Sequence, residues 1–292
     1  MSQENIIDGL LDGKGFVKIE MISPQILPWE DDGSHVHPER TRDYFIAKAA
    51  RASTDGKMKL PKEDRRLIRY LIKNKHTSPL EMGSVTFLIK CPISISRQIL
   101  RHRTGKFNEF SQRYSEVTEE MGRMRMDREE LIRGQSKMNA QCSVDLPPEK
   151  VEEIKKKLES VEEKLDDIFK DYQECIRMGL TREAARFMLP QSTYTVLEMQ
   201  MDLNNLMKFL TLRTAPDAQY EIRVFAEAMM KLTKNYFPVV MEVFEEELEN
   251  VVLDKWAVKM IQEQKIPEEV TSKSGRKKLE DLAEKLNITL KD

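Results

Sequence analysis

One long apolar period constrains the fold more than any other feature of this sequence. After Pro147-Pro148-Glu149, the residues Val151, Ile154, Leu158, Val161, Leu165, Ile168, Tyr172 and Cys175 recur at alternating spacings of three and four. That spacing lines them along one stripe of a single amphipathic helix running to about Met178. Gly179 supplies its stop. A stripe of this kind predicts a helix packed on a core or on another subunit, not a free coiled-coil tail.

The remaining pattern mixes strands and helices. Residues 15–23, GFVKIEMIS, alternate apolar and polar and predict a short strand, and residues 83–91, GSVTFLIKC, predict a second. A third strand is expected over 192–201. The proline-containing stretch 23–40 reads as a loop. Helices are expected over 39–53, 62–74, from Pro92 through RHR, 181–189 with Thr181 as cap, and 203–212. One long helix is expected over 217–249. Two more helical segments are expected near 252–264 and 276–287. Residues 104–108, TGKFN, read as a turn, and 117–146 as irregular with one strand and one short helix. Strict βαβ alternation is missing, so the expected class is α+β.

Composition narrows the function classes. The 292 residues carry 40% hydrophobic side chains, enough for one large core or two small ones. Lys plus Arg number 48 and Asp plus Glu 50, a net charge of −2 that excludes a globally basic nucleic-acid binder. Cys91, Cys142 and Cys175 form no CxxC pair, which excludes a disulfide scaffold and fits a reducing compartment. No apolar run approaches the roughly 20 residues of a membrane span. The first residues are acidic where a secretory signal is basic. The expectation is a cytoplasmic protein with no membrane or nucleic-acid partner. Lys273, Arg276, Lys277 and Lys278 read as a solvated helix start. Asp31, Asp32, His35 and His37 sit in a proline-rich loop and do not make a convincing metal site, so no metal is expected.

Chemistry concentrates in residues 97–116, RQILRHRTGKFNEFSQRYSE. Arg97, Arg101, His102, Arg103, Lys106 and Arg113 stand there against only Glu109 and Glu116. Arginine forks match phosphate oxygens, so a local cluster in a neutral protein points to a small phosphorylated ligand. A solvated basic helix end explains the same residues. Gln98, Asn108, Ser111 and Gln112 add neutral groups able to read a ring edge. The stretch HTSPLE at 76–81 sets His76 and Ser78 around a proline turn. Arg186 stands on an otherwise apolar helix and needs a partner, a carboxylate or a ligand phosphate. Arg213 ends another apolar helix.

These segments resemble the flavin-dependent thymidylate synthase family. The family signature is RHR, seven residues, then Ser. Here it stands as Arg101-His102-Arg103, TGKFNEF, Ser111, with Asn108-Glu109 and Arg113-Tyr114 in place. ARAS at 50–53, HTSPLE at 76–81, RGQSKMNAQCS at 133–143, AARFMLP at 184–190 and NLMKFLTLR at 205–213 follow the family in order. The resemblance covers about residues 15–245. It implies an α+β fold with a twisted, mainly antiparallel sheet flanked by helices, and a homotetramer with sites between subunits. It implies reductive methylation of dUMP to dTMP, with methylenetetrahydrofolate as carbon donor and FAD, reduced by NADPH, as hydride donor. By resemblance His76, Ser78, Arg101, His102, Arg103, Glu109 and Asn204 hold FAD. Gln98, Arg101, Glu109, Ser111, Arg113, Arg186 and Arg213 hold dUMP. Arg213 is the catalytic residue, a fixed cation beside the uracil ring.

The chain departs from the family at Asp202 and Lys208, where Asn is frequent, and at Asp217, where His is frequent. Two alternatives stand beside the synthase: a paralogue that modifies a pyrimidine nucleotide differently, for example by hydroxymethylation, and a non-catalytic nucleotide-binding relative. Residues 1–249 are expected to form the synthase-like domain, and 250–292 a helical extension.

Overall fold

A computed structural model describes residues 5–24, 42–52, 61–137, 143–249 and 253–291. Its strands are β1 (Ile6–Leu10), β2 (Gly15–Ser23), β3 (Ser84–Pro92), β4 (Lys106–Glu109), β5 (Gly134–Gln135), β6 (Ser143–Val144) and β7 (Tyr194–Asp202). Its helices are α1 (Asp43–Ala50), α2 (Pro61–Lys73), α3 (Ile93–Ile99), α4 (Pro148–Arg177), α5 (Arg182–Ala185), α6 (Leu203–Arg213), α7 (Tyr220–Lys234), α8 (Pro238–Glu249), α9 (Lys255–Glu263) and α10 (Lys273–Lys285). Five strands make one sheet in the order β1-β2-β3-β7-β4, and every pairing is antiparallel. The small β5-β6 pair stands apart from it. The expected α+β class is what the chain adopts.

Strand alternation explains the layering. Val85, Phe87, Ile89 and Cys91 of β3 are fully buried, while Ser84, Thr86, Leu88 and Lys90 between them stay half-exposed. The register places Phe87 opposite Met199 and Ile89 opposite Leu197, so one face of the β3-β7 pair is continuously apolar. The helices α1, α2, α6, α7 and α8 cover that face through Ile46, Ile68, Phe209, Phe225 and Met241. Each fully buried aromatic there contributes on the order of 2–3 kcal/mol. Asp43 ties the layer together, accepting from the amides of Val239 (3.2 Å) and Val240 (2.8 Å) at the start of α8.

The long period does form one helix of 30 residues, and Gly179 follows it at φ +101°. Only Tyr172 of its apolar stripe is buried, together with the charged Glu162. Tyr172 packs with Val117 and Ala185, and its hydroxyl accepts from the Val117 amide at 2.9 Å. Arg123 pairs with Glu162, also donating to the Glu162 carbonyl at 2.8 Å and to Asp166 at 2.7 Å. The amide of Met126 donates to Glu162 at 2.9 Å. These polar groups fasten α4 to the 117–126 segment.

Four expectations are corrected, the first being the helix read from Pro92 through RHR, which ends at Ile99 and leaves RHR in a turn. The single helix over 217–249 is two helices, because Pro238 lacks an N–H to continue α7 and instead opens α8. The turn read over TGKFN yields to β4 from Lys106, which gains its backbone partners on β7. The helix read over 39–53 is helical only over Asp43–Ala50 among the described residues. Strand β1 carries no sequence expectation at all. Asp31, Asp32, His35, His37 and Cys142 lie outside the described residues. Among the described residues, no helix is long and apolar enough to cross a membrane, and no cluster of three or more His, Cys, Asp or Glu is arranged to hold a metal.

Residues 253–291 build their own small cluster. Ala257 and Met260 of α9 pack with Leu279 and Ala283 of α10. Asp254 caps α9 and Ser272 caps α10.

Candidate active site

The site is built on the turn between α3 and β4 and on the C-terminal end of α6. Proline at the start of α3 supplies a fixed φ, and the helix ends at Ile99. The turn then tightens on itself: the His102 amide donates to the Ile99 carbonyl at 3.1 Å, and the Gly105 amide to the His102 carbonyl at 3.0 Å. A side chain at Gly105 would collide with Met201 and Phe107, each closer than 3.0 Å to its Cβ position. The RHR segment is a tight corner, closed by these two backbone bonds and presented beside the sheet.

Arg213 meets this corner. Its Nε donates to Nε2 of His102 at 3.0 Å, and its Nη2 to the Gln98 carbonyl at 3.4 Å. The His102 ring stands edge-on to Phe209 of α6, 4.8 Å between centroids. Burial, then the Arg213 charge, lower the His102 pKa. Burial also lowers that of Arg213, yet a guanidinium stays charged at neutral pH. The Gln98 side chain donates to Gln219 at 2.6 Å, linking α3 to the start of α7.

The arginines around the corner are short of partners. Arg97, Arg101 and Arg103 are exposed, and no carboxylate among the described residues pairs with them. Arg113 bonds Glu183 at 3.2 Å and lies 5.8 Å over the Tyr114 ring. Arg186 lies 5.7 Å over the Phe187 ring, and no carboxylate among the described residues meets it. Phe187 and Tyr114 are themselves 83% and 77% exposed, so these two arginines sit on open aromatic platforms. Ser111 accepts weakly from the Arg113 amide at 3.3 Å. Within the same signature, Nε2 of Gln112 is buried without a hydrogen-bond partner. Unpaired guanidinium groups and an orphaned amide donor fit an anionic, oxygen-rich ligand such as a nucleotide or a dinucleotide cofactor.

The expected site residues fall into separate groups on one chain. His102, Arg213 and Gln98 are in contact. Glu109 is held by Ser96, whose hydroxyl donates to it at 3.0 Å. Arg113 reaches the segment that carries Arg186 through Glu183, three residues before it. His76 meets the Tyr70 ring and not the corner. Ser78 opens the short 3-10 turn Ser78–Met82, whose Glu81 accepts from Asn204 at 3.2 Å. Asn204 and Arg213 lie nine residues apart on α6, about 14 Å along its axis. The His76, Ser78 and Asn204 group is thus at the opposite end of α6 from the arginine corner.

Two departures have local explanations. Asp202 caps α6, accepting from the Asn205 amide at 2.9 Å and from its side chain at 2.6 Å. Lys208 is exposed. Sequence reasoning missed Ser96, Gln219 and Phe209. Ser96 left one usable signal, a hydroxyl inside the apolar run PISIS.

The family profile described as Thymidylate synthase complementing protein (Thy1) matches residues 36–239. A flavin-dependent thymidylate synthase of Thermus thermophilus is 40% identical over 206 residues, spanning 70% of this chain and 73% of that protein. One of Gluconobacter oxydans is 38% identical over 208 residues, spanning 70% and 67%. A crystal structure of a UMP/dUMP methylase, PolB, from Streptomyces cacaoi bound with 5-Br dUMP is similar in fold, with a TM-score of 0.64 and 31% identity over 82% of this chain and 97% of that one. The same methylase bound with 5-Br UMP gives a TM-score of 0.62, covering 80% and 94%.

Proposed function

The chain belongs to the Thymidylate synthase complementing protein family, and from that premise we propose that it is a flavin-dependent thymidylate synthase. It converts dUMP to dTMP by reductive methylation at C5. Methylenetetrahydrofolate supplies the carbon, and FAD, reduced by NADPH, supplies the hydride. The observation that carries this reading is the half-buried Arg213, held on the RHR corner by His102 and the Gln98 carbonyl amid unpaired arginines. The names of the relatives and the brominated nucleotides in the similar methylase support it.

In this reading Arg113 and Arg186 hold the dUMP phosphate, with Gln98, Arg101, Glu109 and Ser111 around the sugar and base. Arg213 faces the uracil ring, where a fixed cation favours charge on the ring oxygen and raises the nucleophilicity of C5. Arg101, His102, Arg103, Glu109, His76, Ser78 and Asn204 hold the flavin cofactor. The separation of His76, Ser78 and Asn204 from the corner supports a site completed by a second subunit. The half-exposed stripe of α4 supports the same homotetrameric assembly. Residues 1–249 form the synthase domain of a cytoplasmic enzyme, and 250–292 form an appended helical module, a division supported by the separate cluster of α9 and α10. Because the similar methylase is named for UMP as well as dUMP, UMP belongs in the same assay. The test is the purified protein itself: it should be yellow, bleach with NADPH and run as a tetramer in light scattering. A colourless protein that takes up no added FAD contradicts the reading.

A further inference from the structure

The bond between Arg213 and His102 fixes a proton as well as a side chain. A guanidinium has five N–H donors and no acceptor. The ring nitrogen receiving Arg213 Nε–H at 3.0 Å must therefore offer a lone pair. His102 is then neutral, with its proton on Nδ1. Phe209 and the two backbone bonds of the turn hold the ring in this orientation. Among the described residues, the other bond that holds the guanidinium is the longer one to the Gln98 carbonyl, at 3.4 Å. Among the described residues, the charged group that acts on the ring is the Arg213 guanidinium from α6, and the arginines next to His102 in sequence, Arg101 and Arg103, are exposed. The neighbours from α3 and from the start of α7, Gln98 and Gln219, are neutral. No carboxylate among the described residues hydrogen-bonds His102 or Arg213.

We propose that His102 is the positioning residue of Arg213 and that it holds the arginine only while its imidazole is neutral. Protonation turns the Nε2 acceptor into a donor facing a cation. The bond breaks, and the guanidinium swings away from the place where it meets the nucleotide ring. Burial and the adjacent arginine, by lowering the pKa of His102, keep the holding state populated at neutral pH. The consequence for nucleotide binding rests on the function proposed above; the pair itself does not.

Two measurements separate these layers. The chain has only four histidines, so the FAD-loaded protein labelled with 13C and 15N at histidine gives few ring signals, and His102→Gln identifies one of them. The expected result is an Nδ1–H tautomer that titrates below the ordinary 6.5, with a midpoint that rises in Arg213→Ala. An Nε2–H tautomer, or a midpoint indifferent to Arg213→Ala, overturns the pair whatever the protein catalyses. The second measurement is the affinity for dUMP by calorimetry at pH 8 and pH 5.5, in wild type and in His102→Gln, whose amide oxygen accepts but does not titrate. The nucleotide phosphate titrates equally in both proteins and cancels in their ratio. Wild type should lose more affinity on acidification than the variant, by up to about tenfold, the ceiling set at pH 5.5 by a midpoint below the ordinary 6.5. Equal losses overturn the positioning role. Absence of dUMP binding at either pH in wild type overturns the function reading, while the ring signals still decide the pair.

Discussion

The ion pair between Arg113 and Glu183 sets up a competition that can be measured. Their charged atoms are 3.2 Å apart, and the side chains are 48% and 58% exposed. An exposed pair of this kind is worth about 0–1 kcal/mol. In the proposed reading a nucleotide phosphate would offer Arg113 a charge-assisted bond worth about 1.5–3 kcal/mol, enough to win the guanidinium from Glu183. Arg113→Ala should therefore raise the Kd for dUMP roughly ten- to a hundredfold. Glu183→Gln removes the competitor and should tighten dUMP binding by at most about fivefold. The assay is calorimetric titration of the FAD-loaded protein with dUMP, and with deoxyuridine as the ligand lacking phosphate. Deoxyuridine binding should not respond to either substitution. The reasoning is refuted if Arg113→Ala leaves the dUMP affinity unchanged, or if it weakens nucleotide and nucleoside equally.

Other outcomes follow from the same structure. Arg123→Ala leaves Glu162, which is fully buried, without its main partner and should destabilise the fold by about 3–5 kcal/mol in urea unfolding; a loss under about 1 kcal/mol contradicts the buried-pair account. Burial and the nearby Glu109 push the Cys91 thiol far above its ordinary range. Cys91 should not react with a thiol reagent at pH 7 in the native protein, and rapid labelling there contradicts its burial. Replacing Cys91, Cys142 and Cys175 together should leave turnover within about tenfold, allowing for packing losses of a few kcal/mol. A cysteine-free protein that is folded and yellow but inactive would implicate a thiol. Arg213→Ala should give a folded, yellow protein that forms almost no dTMP.

The parts of the fold legible in the sequence are those whose signal is local. The apolar period after Pro147 and the alternation in GFVKIEMIS and GSVTFLIKC describe α4, β2 and β3 within a few residues. What escaped depends on distant partners. The four residues of β4 are extended because β7 supplies a ladder to Lys106–Glu109, and nothing in TGKFN announces that ladder. The run through Asn235, Tyr236 and Phe237 kept an apolar period across Pro238, which hid the break between α7 and α8. Glu162 sits among charged neighbours on α4, and its burial follows from distant partners, Arg123, 39 residues earlier, and the Met126 amide.

The site divides in the same way. The spacing from Arg101 to Arg113 is a sequence pattern and could be matched to a family as it stood. The contact of His102 with Arg213 spans 111 residues and exists only in the folded chain. The gap between the corner and the group of His76, Ser78 and Asn204 is likewise set by the length of α6 between them, which the motifs do not encode.

The most direct test of the function is product analysis. The FAD-loaded protein is incubated with dUMP, methylenetetrahydrofolate and NADPH, with UMP in a parallel reaction, and the nucleotides are separated and weighed by mass spectrometry. The expected product from dUMP is dTMP, formed only when folate and NADPH are both present. A folded, yellow protein that returns dUMP unchanged, or yields a C5-hydroxymethyl nucleotide instead, contradicts the assignment.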